Sequence, residues 1–296
     1  MTFFKEPDKT IIFSEQKWRD TNRSQKIKIL KSLEKEIATD LQIKSIPRLI
    51  FSKEKNMAGT YKSYRNTLTL SELMALEGKR FLVRPSEEKQ TLAKGLFVTN
   101  HNSNIDTLFT ICHELEHAAQ YQRVCGKIEW RAEDDQDGIT VNQQQKTEKQ
   151  MFSYIKGDCD ATNAYELCQL QPAEYGANQS ALKEINNLVV KYQNHCSEND
   201  IEEFRSKIIK TEKRIKISVA AMTENYRTDN IVRDISFCLQ NLFLGKQHPV
   251  PPDLMRDIED ACHKSYELVH SQRYQQLEMR LKREINRQLA EQEYER

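Results

Sequence analysis

Glycine and proline are scarce in this chain, at 8 and 7 of 296 residues. That scarcity argues against a turn-dominated or disordered protein, and no glycine-rich phosphate loop is present. An excess of one charge is also lacking. Lysine and arginine number 45 against 44 acidic residues, for a net charge of +1. Nothing in that balance points to nucleic acid or an anionic membrane as partner. No apolar run approaches the length of a membrane span, and the N-terminal MTFFKEPDKTIIF lacks the basic-then-apolar layout of a secretory signal. Seven scattered cysteines form no C-x-x-C pair, which speaks for reduced thiols and a cytosolic setting. Leaderless secretion, as of an injected effector, would leave no trace here. What remains, 38% apolar and 30% charged residues, is the make-up of a soluble, helix-rich globular protein with room for one large domain or two modest ones.

Periodicity organises the chain. Leu30, Leu33, Ile37 and Leu41 recur at helical steps, predicting a helix over 24–41. IPRLIF (Ile46 to Phe51) reads as a strand, and GTYKSYRNTLTLS passes from a glycine turn into alternation over Thr67–Leu70, so a small sheet is expected. RFLVR and GLFVTN are further strand candidates. Ser103 followed by Asp106 fits a capping box, and Ile105, Leu108, Phe109, Cys112, Leu115 and Ala119 then supply one apolar helix face. The polar EDDQDG and NQQQKTEKQ stretches read as a solvated excursion. Pro172 in QPAEYGANQSA suits the first turn of another helix. Beyond about Lys191 the pattern is almost wholly helical. Ile201, Phe204, Ile208, Ile215, Val219 and Met222 form one stripe, and Ile231, Ile235, Leu239 and Leu242 the next. A last helix carries Leu277, Leu281, Ile285 and Leu289 on one side, with partner binding or self-association as its less common use.

The chemistry concentrates in FTICHELEHAAQYQ, Phe109 to Gln122. His113 and His117 lie one helical turn apart on one face, so their imidazoles can bind one Zn²⁺ together at about 2.0–2.1 Å. Glu114 flanks that site, where a carboxylate can take a proton from a water acidified by the metal. The bland reading is a pair of histidines on a surface helix with Glu114 and Glu116 merely solvated. A catalytic zinc needs a third protein ligand. Gln120 and Arg123 stand where an H-E-x-x-H-x-x-G-x-x-H pattern has glycine and histidine, so the third ligand lies farther along. Glu174 is the choice, because it begins a helix that Gly176 and Ala177 would let approach closely; Asp158 and Asp160 compete. For an oxyanion donor, Tyr61, Tyr64, Tyr121, Tyr175, Arg123 and His195 are the candidates. The NTLTL strand could add an extended substrate as a further strand, or be an interior strand without a free edge. His101, His248, His263 and His270 lack ligand-spaced partners and read as structural.

These motifs, from Ile46 to Leu182, resemble the minimal gluzincin metallopeptidases and are similar to bacterial and mobile-element members such as the ImmA/IrrE-like family. The resemblance implies a zinc ion held by His113, His117 and Glu174, with Glu114 as general base and acid. In larger gluzincins an aspartate four residues after the ligand glutamate steers a ligand histidine. Here that place is Asn178, an uncharged acceptor next to the metal shell. The expected fold is therefore α+β: a small zincin-like catalytic domain over 1–195, with a short twisted sheet and the HExxH helix, then a mostly helical region over 196–296. The expected activity is zinc-dependent hydrolysis of a protein or peptide substrate, with Tyr175 or Tyr61 stabilising the transition state. Two other classes compete. A zincin-fold regulatory or binding module would keep its activity after Glu114→Gln. An all-helical interaction protein with an accidental HELEH would hold no stoichiometric zinc.

Overall fold

A computed structural model of the chain describes residues 7–53, 58–78, 103–130 and 155–294. The two strand candidates RFLVR and GLFVTN, the polar EDDQDG and NQQQKTEKQ stretches and His101 lie outside the described residues. The described chain is α+β, with a small sheet among many helices.

After a 3-10 turn at Lys9–Phe13, helix α1 covers Glu15–Asp20 and α2 covers Arg23–Asp40. Asn22 caps α2 by accepting from the Gln25 N–H, which satisfies one of the free donors of the first turn. Leu30, Leu33 and Ile37 are fully buried, each contributing about 1.5–3 kcal/mol of apolar burial. The sheet follows: β1 (Arg48–Ser52), β2 (Gly59–Lys62) and β3 (Thr67–Ser71), in the order β1-β3-β2. Between β2 and β3, Asn66 takes a left-handed conformation and its side-chain amide donates to Ser45 and Ile46. That residue type tolerates such a backbone because its short amide bonds locally. β3 is parallel to β1 and antiparallel to β2, and all five of its residues are buried. The alternation over Thr67–Leu70 thus belongs to an interior strand covered on both faces.

Helix α3 (Glu72–Ala75) precedes α4 (Ser103–Val124), which packs on β2, β3, α2 and α3. Ser103 is the first residue of α4 and the position ahead of it lies outside the described residues. Helix α5 (Ala164–Leu170) leads directly to α6 (Pro172–Tyr192), which lies along α4. Then come α7 (Glu198–Asn225), α8 (Ile231–Leu244) and α9 (Pro252–Tyr294). At 43 residues, α9 is about 65 Å long at the usual rise. The side chains of Leu277, Leu281, Ile285 and Leu289 lie outside the described residues. No described helix is long and apolar enough to cross a membrane.

Two apolar cores organise these elements. The first gathers α2, the sheet, α4, α6 and the N-terminal part of α7, through Ile201, Phe204, Ile208 and Ile215. The second joins Ile155 to Leu170 with Met222, α8 and the start of α9. The cores interleave along the sequence, so helices after residue 195 complete both.

Glu34 stands apart within the first core. It is buried on α2, and its Oε1 has no hydrogen-bond partner among the described residues. Burial pushes its carboxyl up to about 7, with Lys31 and Lys35 pulling the other way. A pKa raised by folding means that the native state binds the extra proton. The stability it contributes is full below the ordinary carboxylate value of 4.5 and is lost as pH rises through 7. Glu34→Gln is therefore expected to stabilise the protein by about 1–3 kcal/mol at pH 8 and by much less at pH 5. Urea unfolding at both pH values checks this; an equal effect at the two would contradict it.

Candidate metal centre

Helix α4 presents His113 and His117 on one face, and the first turn of α6 brings Glu174 against them. His113 Nε2 lies 3.1 Å from His117 Nε2 and 3.2 Å from Glu174 Oε2, and His117 Nε2 lies 3.5 Å from Glu174 Oε2. A tetrahedral ion with bonds of about 2.0–2.1 Å separates its donor atoms by about 3.3–3.4 Å. The triangle of two imidazole nitrogens and one carboxylate oxygen fits that requirement. Among the described residues these three form the group able to hold a metal ion. Asp158 and Asp160 sit elsewhere, in the loop whose Lys156 N–H donates to Ser265 and whose Cys159 thiol contacts Ala261, with Asp160 facing Lys264.

Charge supports the same assignment. Burial opposes ionisation of Glu174, but the neighbouring His117 and His113 hold its carboxyl well below the usual range. Burial likewise opposes charge on His117, and Glu174 outweighs it to lift the imidazole to about 9. A field that favours a proton on His117 also favours a divalent cation at the same place.

Small residues permit the approach of the two helices. Ala118 and Ala119 of α4 and Ala173, Ala177 and Ala181 of α6 are fully buried. The stripe at four-residue spacing, rather than the half-exposed Gly176, lies on the buried side. Glu116, beside His117, braces the pair: it accepts from Arg123 Nη1 at 2.6 Å and from Ser180 Oγ at 2.7 Å, with both charged side chains 1% exposed.

Glu114 is buried on the side toward β2. Burial raises its carboxyl pKa; His113 and His117 lower it, Glu174 raises it, and the Tyr61 backbone N–H lowers it by donating to the carboxylate. β2 reaches Glu114 because residue 59 is glycine. A Cβ there would fall 2.3 Å from Thr110 Cγ2 and 3.2 Å from Glu114 Cγ, so the Thr110 side chain or the strand would have to shift.

Gln120 completes the surroundings. Its Nε2 donates to the Ala173 carbonyl at 3.0 Å, and its Oε1 lies 3.0 Å from His117 Nδ1.

Several sequence expectations are corrected. Asn178 is buried but turns its amide to Gln169 Oε1, donating at 3.3 Å. Gln120, not Asn178, bonds the His117 imidazole. Arg123 is sequestered by Glu116 and is not a free oxyanion donor. Glu114 and Glu116 are buried rather than solvated. The Tyr61 hydroxyl donates to Asn66 Oδ1 at 3.2 Å, so this residue meets the site through its backbone. Tyr64 is 70% exposed. The Tyr121 phenol pairs with Cys125, and Tyr175 packs half-buried between the two cores. His195 follows the far end of α6, about 30 Å from Glu174 at the helical rise. Tyr165 was not anticipated. Burial, then Cys168, Glu166 and Glu174, keep its phenol protonated, and only the tertiary fold brings it near Glu174. His248 is structural, stacked on Phe237 with its Nε2 on Gln240.

No protein-family model, curated protein or solved structure matches the chain.

Proposed function

We propose that this protein is a zinc-dependent peptidase of the gluzincin type, with a zincin-like domain built from the sheet, α4 and α6. The observation that carries the reading is the near-equilateral triangle of His113, His117 and Glu174 beside a buried, backbone-anchored Glu114. His113, His117 and Glu174 would hold the ion. A zinc ion so held supplies Lewis acidity toward a carbonyl oxygen and lowers the pKa of a water to about 7. Glu114 accepts the proton of the attacking water and delivers it to the leaving amide nitrogen, restoring its carboxylate. The Tyr61 N–H keeps that carboxylate aimed while the proton is exchanged. An extended substrate meets β2, next to Glu114 and an edge strand of the sheet among the described residues, because β3 is paired on both sides.

Incubation of zinc-loaded protein with a peptide library, read by mass spectrometry, tests the reading. New termini that disappear on chelation and return with zinc are expected. A library left intact by fully zinc-loaded protein would sink the peptidase reading.

A further inference from the structure

Gln120 links the two helices that carry the triad, and its hydrogen bonds can be assigned without ambiguity. A backbone carbonyl only accepts, so the end of the amide facing Ala173 is the Nε2H₂ group. Oε1 then faces His117 Nδ1 at 3.0 Å, and because Oε1 only accepts, Nδ1 must carry the hydrogen. A neutral imidazole protonated at Nδ1 has its lone pair on Nε2. That is the atom 3.1 Å from His113 Nε2 and 3.5 Å from Glu174 Oε2.

We propose that Gln120 is the positioning residue of the metal site. It sets the tautomer of His117, aims its Nε2 at the ion, and ties Ala173, the residue before Glu174, to the same frame. One side chain, 5% exposed, thereby registers a ligand on α4 against a ligand on α6. The inference rests on the zinc-site reading above. His113 provides the contrast: its Nδ1 is buried and without a hydrogen-bond partner among the described residues. Outer partners of ligand histidines fix ring orientation, and their loss typically weakens metal binding about 10–100-fold.

Two variants separate positioning of the imidazole from a plain brace between helices. Gln120→Met and Gln120→Glu both lose the donor to Ala173, and only Gln120→Met loses the acceptor for His117. Zinc affinity of the full chain is measured by chelator competition. Gln120→Met is expected to bind about 10–100-fold more weakly than wild type, with Gln120→Glu close to wild type. Unchanged binding by Gln120→Met, or equal loss in both variants, would overturn the proposal. If Gln120→Met does not fold, ¹H–¹⁵N spectra of zinc-loaded wild type decide. Nδ1 of His117 is expected to bear the hydrogen and Nε2 the metal; the reverse overturns the assignment. Wild type that takes up no zinc would defeat the metal-site reading itself and this inference with it. Wild type that binds zinc, beside an unaffected Gln120→Met, would defeat the role of Gln120 alone.

Discussion

Glu114→Gln is expected to lower peptide hydrolysis by about 10²–10⁴-fold while leaving zinc content and unfolding midpoint near wild type. The amide has the shape of the carboxylate and keeps an oxygen to accept the Tyr61 N–H, so the contact between β2 and α4 survives. What it loses is the ability to take up and return a proton. Burial disfavours the charged form of Glu114 and raises its pKa. His113, His117 and Glu174 are untouched, so activity and metal content should separate. Steady-state cleavage of a library-derived peptide, beside elemental analysis of the same samples, measures both. A variant with wild-type turnover would remove Glu114 from the chemistry. A biological activity that survives the substitution without any turnover would favour a regulatory module on the same scaffold.

Arg123→Met is expected to cost about 3–5 kcal/mol of stability, a large share of the roughly 5–15 kcal/mol typical of a folded domain. The Glu116–Arg123 pair is 1% exposed on both sides, and Ser180 Oγ satisfies the second carboxylate oxygen. Removal of the guanidinium leaves a buried anion without this counter-charge. The strain falls on the contact between α4 and α6, since Ser180 is on the helix that carries Glu174. Adding Glu116→Gln to Arg123→Met should recover a substantial part of the loss, because an amide can be buried without a counter-charge. Denaturant unfolding of the two single variants and the double variant gives the coupling. A loss under about 1 kcal/mol for Arg123→Met would show that water reaches the pair.

The helix that carries the candidate site was legible because its residue types and its periodicity agree. His113, Glu114 and His117 follow from the 3.6-residue turn, and the apolar face of Ile105, Leu108, Cys112 and Leu115 is buried as the spacing requires. Glu174 was within reach because Pro172 marks the first turn of a helix, the turn in which Glu174 lies. The outer shell was not legible. Glu116 and Arg123 are ordinary charges in a polar-looking helix until α6 covers them, and Gln120 gains its role only when the Ala173 carbonyl arrives from 53 residues away. Gly59 had no signal beyond a turn. Its purpose, contact with Thr110 and Glu114, exists only once β2 is laid on α4. The sharing of α7 between the two cores is a tertiary fact of the same kind. Apolar stripes show that helices bury a face, but not that α7 serves one core at its start and another at its end.

The most direct test of the metal centre is elemental analysis of the purified full chain after zinc loading and removal of excess ion, beside His117→Ala and Glu174→Ala treated identically. The arrangement of His113, His117 and Glu174 predicts about one zinc per wild-type chain and little in either variant, with all three proteins folded. Folded wild type that retains no zinc, or variants that retain it fully, would contradict the site.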